Sequence, residues 1–76
     1  MSLFMSVDIH GMTCAEAKKF LESKIRTAPK HCELTVIHGY RGGHALMDMV
    51  RKDLKSTRIK RKILGLNQGE TILVLE

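Results

Sequence analysis

Residues 4–11 read FMSVDIHG, and residues 33–39 read ELTVIHG. Both are short segments rich in apolar residues, and each ends in the same three residues, Ile-His-Gly, before a helical pattern begins. We therefore predict strands at residues 4–9 and 33–38, each leading into a helix. Because the strands of a strand–helix–strand unit pair in parallel, both Ile-His-Gly ends should lie on one edge of a sheet.

The rest of the chain predicts two helices and two further strands. Thr13 to Glu16 fits a capping box, and an apolar stripe continues to about Thr27 before Pro29 ends the helix. A second helix is predicted from about His44 to Ser56. Residues 58–64 alternate basic and apolar side chains, which predicts a strand with one solvated face, and residues 71–75 form an apolar closing strand.

The order βαβαββ predicts an α/β fold of two layers. Four strands form a mixed sheet, and both helices pack on one face of it. Seventy-six residues suffice for one domain, so residues 1–76 are expected to be a single unit. Residues 1–3 precede the first patterned segment and are expected to be an expression scar or disordered.

The composition indicates a cytoplasmic monomer. No apolar run approaches the roughly 20 residues of a membrane span, and no signal peptide is recognisable. The two cysteines, Cys14 and Cys32, do not form a CxxC pair and fit a reducing compartment. Neither a heptad pattern nor an extra apolar patch argues for an oligomer.

Positive charge is concentrated in one stretch. The net charge is +5, and residues 51–62 hold seven of the thirteen basic residues with a single acid. Such a patch on an otherwise near-neutral domain is typical of proteins that bind phosphate backbones, although a solvated surface is the plain alternative. The chain has only three aromatic residues, which favours backbone contact over base stacking of the RRM type.

The two strand ends carry the predicted catalytic residues. His10 and His38 are the candidate acid–base pair because imidazole changes charge near neutral pH. Asp8 lies two residues before His10, on the same face of the strand, and is expected to orient its ring. Turn-forming or structurally satisfied histidines are the alternative interpretation.

Nucleic-acid contacts are predicted for the glycine-rich loop and the basic stretch. The main-chain amides at the start of the second helix and the arginine before them can hold a phosphate. The predicted contact residues are Gly39, Arg41, Gly42, Gly43 and His44 in the loop and Arg51, Lys52, Lys55, Arg58, Lys60, Arg61 and Lys62 in the basic stretch.

These motifs resemble those of Smr (small MutS-related) domains. Residues 7–11, VDIHG, resemble the family's opening LDLHG signature, and residues 37–39 with the following loop resemble its second motif, HGxG. The resemblance runs from about residue 6 to residue 76. It implies a fold similar to the C-terminal domain of bacterial translation initiation factor three, with the last strand inserted antiparallel between the second and third.

The resemblance also implies DNA or RNA binding and, for several members, nicking endonuclease activity. Members often carry a Lys or Arg directly between the two glycines of HGxG. Here Tyr40 and Arg41 stand between Gly39 and Gly42, and Arg41 is expected to supply the cation from a shifted position.

Three alternatives stay open at this point. The first is a nucleic-acid-binding module that uses the same edge without catalysis. The second is a thiol enzyme that uses Cys14, at the start of a helix and four residues from His10. The third is a zinc site built from His10, His38, His44 and Cys14, although these residues lack a recognised ligand spacing. No cofactor or bound metal is firmly implied, and participation of a divalent cation is left open.

Overall fold

Four strands and two helical regions build the fold in the predicted order. The computed structural model describes residues 3–39, 44–64 and 67–76. The strands are β1 (Leu3–Asp8), β2 (Cys32–Ile37), β3 (Ile59–Leu64) and β4 (Glu70–Leu75); the helices are α1 (Cys14–Thr27) and α2 (Ala45–Asp48), the latter continued by a π-helical turn, Met49–Asp53. Each strand lies within one residue of its predicted position. Leu3, expected to precede the ordered fold, is the first residue of β1.

The sheet has the order β1-β2-β4-β3. β1 and β2 are parallel, and β4 pairs antiparallel with both β2 and β3. The first three strands therefore share one direction, and the last strand is inserted between the second and third. This mixed four-stranded sheet with two helical regions confirms the predicted α/β sandwich.

The hydrophobic core lies between the sheet and the helices. Side chains alternate along β2 and β4, so that Leu34, Val36 and Leu73 are fully buried while their neighbours are half-buried on the other face. Helix α1 contributes Ala17, Leu21 and Ile25 to this core. The outer face of the sheet remains uncovered by the described residues.

The capping box at the start of α1 is confirmed. The Thr13 hydroxyl oxygen accepts a hydrogen bond from the Glu16 amide at 3.1 Å, and the Glu16 carboxylate accepts one from the Thr13 amide at 3.3 Å. These contacts satisfy two of the amides that lack partners at a helix start. At the other end, Ala28 is extended because Pro29 disfavours a helical conformation before it.

The second helix differs from the prediction of one α-helix ending near Ser56. Only Ala45–Asp48 is α-helical, and Met49–Asp53 then forms a wider π-helical turn. The turn closes with a hydrogen bond of 2.7 Å from the Leu54 amide to the Met49 carbonyl. Met49, Val50 and Leu54 are all buried, so the wider turn keeps three apolar side chains in the core over a short segment.

A bulge in β3 interrupts the predicted alternation of basic and apolar residues. The register shifts between Ile59 and Arg61, so Lys60 and Arg61 together stand opposite Val74. Beyond the bulge, Lys62 lies on the helix side, where its ammonium donates to the carbonyls of Arg51 and Leu54 at 3.2 and 2.6 Å. Burial lowers the pKa of Lys62. The basic residues of β3 therefore do not share one solvated face.

Arg58 joins the end of α1 to the end of the chain. Its guanidinium donates to the carbonyls of Ile25 and Ala28, each at 2.6 Å, and to the carbonyls of Pro29 and Glu76 at 3.1 and 2.8 Å. Carbonyls at a helix C-terminus lack partners within the helix, and a cation there is also favoured by the helix dipole. Arg58 is thus a structural residue in the described contacts.

We expect Arg58→Ala to lower the free energy of unfolding by about 2–3 kcal/mol, because hydrogen bonds from a charged donor contribute about 1.5–3 kcal/mol and water replaces some of them. Urea denaturation measures this change. Arg61→Ala is the matched control, since Arg61 is exposed, and it should change stability by less than about 0.5 kcal/mol. Equal effects of the two substitutions would contradict the structural role of Arg58.

Candidate functional site

The ends of β1 and β2 lie side by side at the carboxyl edge of the sheet. The Ile9 amide donates to the Ile37 carbonyl at 2.9 Å, which continues the parallel pairing to this edge. Gly11 and Gly39 have φ values of +84° and +74°, a backbone conformation that favours glycine. A Cβ atom on Gly39 would lie 3.7 Å from the Cβ of His10. His10 therefore stands directly against the second strand end.

Asp8 and His10 form an exposed hydrogen-bonded pair. The Asp8 carboxylate accepts hydrogen bonds from the His10 ring Nδ1 at 2.5 Å and from the His10 main-chain amide at 3.0 Å. The side-chain bond, followed by the main-chain bond, holds the pKa of Asp8 below its ordinary value. An ionised carboxylate can only accept, so Nδ1 carries the proton, and Nε2 of the neutral ring keeps its lone pair. The pair thus presents an oriented proton acceptor.

His38 has a different environment. It is only 3% exposed, whereas the His10 side chain is 71% exposed. Its Nδ1 donates to the Gly39 carbonyl at 2.8 Å, and its Nε2 lies 2.9 Å from the Thr71 hydroxyl oxygen. The Thr71 oxygen also accepts from Arg51 Nε at 2.9 Å. Because Gly39 offers a carbonyl, the consistent arrangement has Thr71 donating to His38 Nε2, and both ring nitrogens are engaged.

A pocket of about 690 Å³ opens at this edge. His10, His38 and Gly39 line it on the strand side, and Met12, Thr13 and Leu46 are among the lining residues from the helical side. The structure therefore brings the two predicted histidines to one pocket. It gives the two histidines different environments, since His10 alone of the two has a ring nitrogen without a described protein partner.

The basic stretch divides into two groups. Arg51, Arg58 and Lys62 direct their side chains to Thr71 or to main-chain carbonyls. Lys52, Lys55, Lys60 and Arg61 are exposed. Arg61 stands opposite Val74, which is four residues along β4 from Glu70 at the carboxyl edge, a separation of about 13 Å. The exposed cations of β3 are thus placed away from the Asp8–His10 pair.

The remaining loop predictions are partly outside the described residues. Arg41, Gly42 and Gly43 are among them, and their predicted contacts stay predictions. His44 is exposed and precedes α2. The Gly39 amide donates to the Gly69 carbonyl at 3.0 Å, so this amide has a protein acceptor.

The two cysteines have contrasting positions. Cys14 is half-buried at the first residue of α1 and lines the pocket. Cys32 is buried, and burial raises its pKa. Among residues 3–39, 44–64 and 67–76, no three His, Cys, Asp or Glu side chains come together as a metal-binding group. Within those same residues no helix is long and apolar enough to cross a membrane.

One protein-family model matches most of the chain. The family model of the Smr domain matches residues 7–71, a range that includes Asp8, His10 and Thr71. The chain belongs to the Smr domain family. Smr domains generally bind nucleic acid. No curated protein sequence matches this Smr domain.

Sequence reasoning did not find the buried contacts that support the Smr motif here. Thr71 lies in an apolar closing strand and Arg51 in a basic stretch, so neither pattern indicates a hydrogen bond between them. The only available signal was the single hydroxyl residue within TILVL, since a buried hydroxyl requires a partner.

Proposed function

We propose that this Smr domain binds nucleic acid at the carboxyl edge of the sheet and nicks it by phosphodiester hydrolysis. The observation that carries the proposal is the hydrogen bond from His10 Nδ1 to Asp8. It fixes the proton on Nδ1 and leaves Nε2 as a base on an exposed ring that lines a pocket. His10 is the proposed catalytic residue, and Asp8 positions it.

The proposed reaction uses water as the nucleophile. His10 Nε2 takes a proton from a water molecule while the water oxygen bonds to phosphorus. The bond from phosphorus to the leaving sugar oxygen breaks, and that oxygen takes a proton from solvent. The proton on Nε2 then returns to solvent, which restores the neutral imidazole. Stabilisation of the phosphorane charge is assigned to Arg41 and the amides of Gly42, Gly43 and His44, as the sequence predicted.

His38 is better supported as a positioning residue than as the second half of an acid–base pair. Its ring is buried, and both nitrogens have protein partners. Through Thr71 it is linked to Arg51, so it joins the end of β2 to β4 and to the π-helical turn. We propose that this network holds the strand end against which His10 stands.

A binding module without cleavage is the second candidate. The observation that favours it is the same burial of His38, because only one of the two predicted catalytic histidines, His10, then has an available ring nitrogen. Binding alone needs only the phosphate-contacting groups.

The deciding experiment is gel-resolved cleavage of end-labelled RNA and of supercoiled plasmid by the wild-type chain, with and without EDTA. Discrete products and nicked circles are expected. The EDTA arm measures whether a divalent cation participates. Substrate that is bound and still intact after long incubation would exclude the nuclease and establish the binding module.

Exposed basic residues are proposed to supply most of the affinity. We expect Lys60→Ala and Arg61→Ala each to reduce the slope of log K against log salt by about 0.7–0.9, since each removes one phosphate contact. Fluorescence anisotropy with a labelled oligonucleotide at several salt concentrations measures the slope. Lys19→Ala, which removes an exposed charge from α1 in the helical layer, should leave the slope unchanged. Equal slopes for all three variants would refute a localised contact.

A further inference from the structure

The pocket beside His10 differs in chemistry from a phosphate site. We propose that it receives a nucleobase turned out of its stack, so that the preferred substrate is single-stranded or locally unpaired nucleic acid. The inference rests on the proposed function in taking nucleic acid as the ligand. It adds which part of the nucleotide the pocket holds.

The charge of the described lining disfavours a phosphate in the pocket interior. No lysine or arginine is among the described residues that line it, and Glu70 is among those that do. A phosphate drawn into the pocket would lose water without gaining a cation from these described residues, which is unfavourable. The chain has a net charge of +5, so a lining without lysine or arginine among its described residues differs from the average composition of the chain. The uncharged parts of a nucleotide are the sugar and the base, and of these two only the base has flat apolar faces.

The walls suit a flat ring with apolar faces and polar edges. Met12, Ala45 and Leu46 provide apolar surface, and Thr13 and Asn67 provide polar groups. The Asn67 side-chain oxygen accepts from the Gly69 amide at 2.9 Å, which leaves its NH₂ group to donate to a base. The volume of about 690 Å³ is within the range of about 300–1,000 Å³ for small-molecule sites. Aliphatic walls can hold a base by burial, without an aromatic platform.

His10 connects the pocket to the proposed chemistry. Its ring lines the pocket and is also exposed to solvent, so it stands between the cavity and the outer edge. Because a sugar joins each base to its phosphate, a base inside the pocket brings its own phosphate to the mouth, where Nε2 is available. In a closed duplex the base must first lose its pair and its stacking, whereas a single strand needs less rearrangement. We therefore expect the domain to bind single-stranded nucleic acid more tightly than a closed duplex.

The test measures affinity and does not depend on cleavage. Single-stranded oligonucleotides that carry one abasic nucleotide, moved along the sequence, are titrated into the His10→Ala variant. Loss of the base that enters the pocket should weaken binding about tenfold, because the apolar surface that the base buries between the aliphatic walls is lost. Ala45→Phe, placed on the same background, should weaken binding of the intact oligonucleotide by a similar factor, because Ala45 lines the pocket and is exposed.

The loss of affinity caused by the abasic nucleotide and the loss caused by Ala45→Phe should not be additive if both remove the same contact. Ala45→Phe should leave the affinity for the critical abasic oligonucleotide and for a closed duplex unchanged. Ala15→Phe adds the same bulk to an exposed position of α1 outside the described lining and is the matched control. Equal effects of Ala45→Phe on intact and abasic strands, or an abasic scan without a critical position, would overturn the base pocket. If the effects of the abasic nucleotide and of Ala45→Phe on affinity are not additive but the wild-type chain cleaves no substrate, the nuclease is refuted and the base pocket is retained. If the wild-type chain cleaves but the two effects are independent, the base pocket is refuted and the nuclease is retained.

Discussion

His10→Ala is expected to lower the rate of phosphodiester cleavage by about 10²–10⁴-fold, the usual contribution of a general base. The reason is geometric: Asp8 holds the ring by Nδ1, so that Nε2 is the available base, and alanine removes both atoms. Salt-sensitive binding should persist, because the exposed lysines and arginines are untouched. Rates from gel-resolved cleavage and affinities from anisotropy separate the two effects.

A second exposed histidine provides the control. His31 lies in the connection before β2 with φ of +60°, a conformation that asparagine tolerates, so His31→Asn removes an imidazole with little strain. It should leave the rate unchanged. Asp8→Asn should lower kcat more than it changes KM, because it acts on the orientation of His10 and not on the substrate. A rate unaffected by His10→Ala would remove the Asp8–His10 pair from the mechanism.

The difference in burial between His10 and His38 follows from the register of the sheet. As sequence motifs, His10 aligns with His38, but in the sheet Asp8 pairs with Ile37. If this register is continued by one residue, Ile9, and not His10, lies opposite His38. Side chains alternate between the faces of a strand, so a shift of one residue sends one histidine outward and the other into the core. The repeated motif predicted the edge correctly, but it carries no information about register.

Local rules predicted the elements well where a nearby residue decides the outcome. Thr13 and Glu16 fix the start of α1, and Pro29 fixes its end. The end of the second helix depends instead on tertiary packing, since Val50 and Leu54 both enter the core through a π-helical turn. The bulge at Lys60 likewise depends on pairing with β4. Contacts made by Arg51, Arg58 and Lys62 could not be predicted because charge alone does not distinguish a solvated side chain from one that satisfies distant carbonyls.

The network around Thr71 offers the second large effect, this time on stability. Thr71 is fully buried, and its hydroxyl group is the common partner of His38 and Arg51. Valine has nearly the same shape but no hydroxyl group, so Thr71→Val leaves a buried ring nitrogen without a donor and a guanidinium N–H without its acceptor. An unsatisfied buried group costs about 1–3 kcal/mol, and more when charge is involved.

We therefore expect Thr71→Val to lower the free energy of unfolding by about 2–4 kcal/mol, which corresponds to a fall in Tm of about 10–25 °C for a domain of this size. Thr35→Val is the matched control. Thr35 lies in β2 on the outer face of the same sheet, is half-buried, and makes no side-chain hydrogen bond with the described residues, so the same substitution should change stability by less than about 0.5 kcal/mol. Thermal and urea unfolding of both variants measure the difference.

If the two variants were equally stable, Thr71 would not hold His38 and Arg51 together, and the end of β2 would owe its position to main-chain pairing alone. A large difference would instead show that the buried hydrogen bonds of Thr71, which join His38 at the end of β2 to Arg51 in the π-helical turn, stabilise the domain.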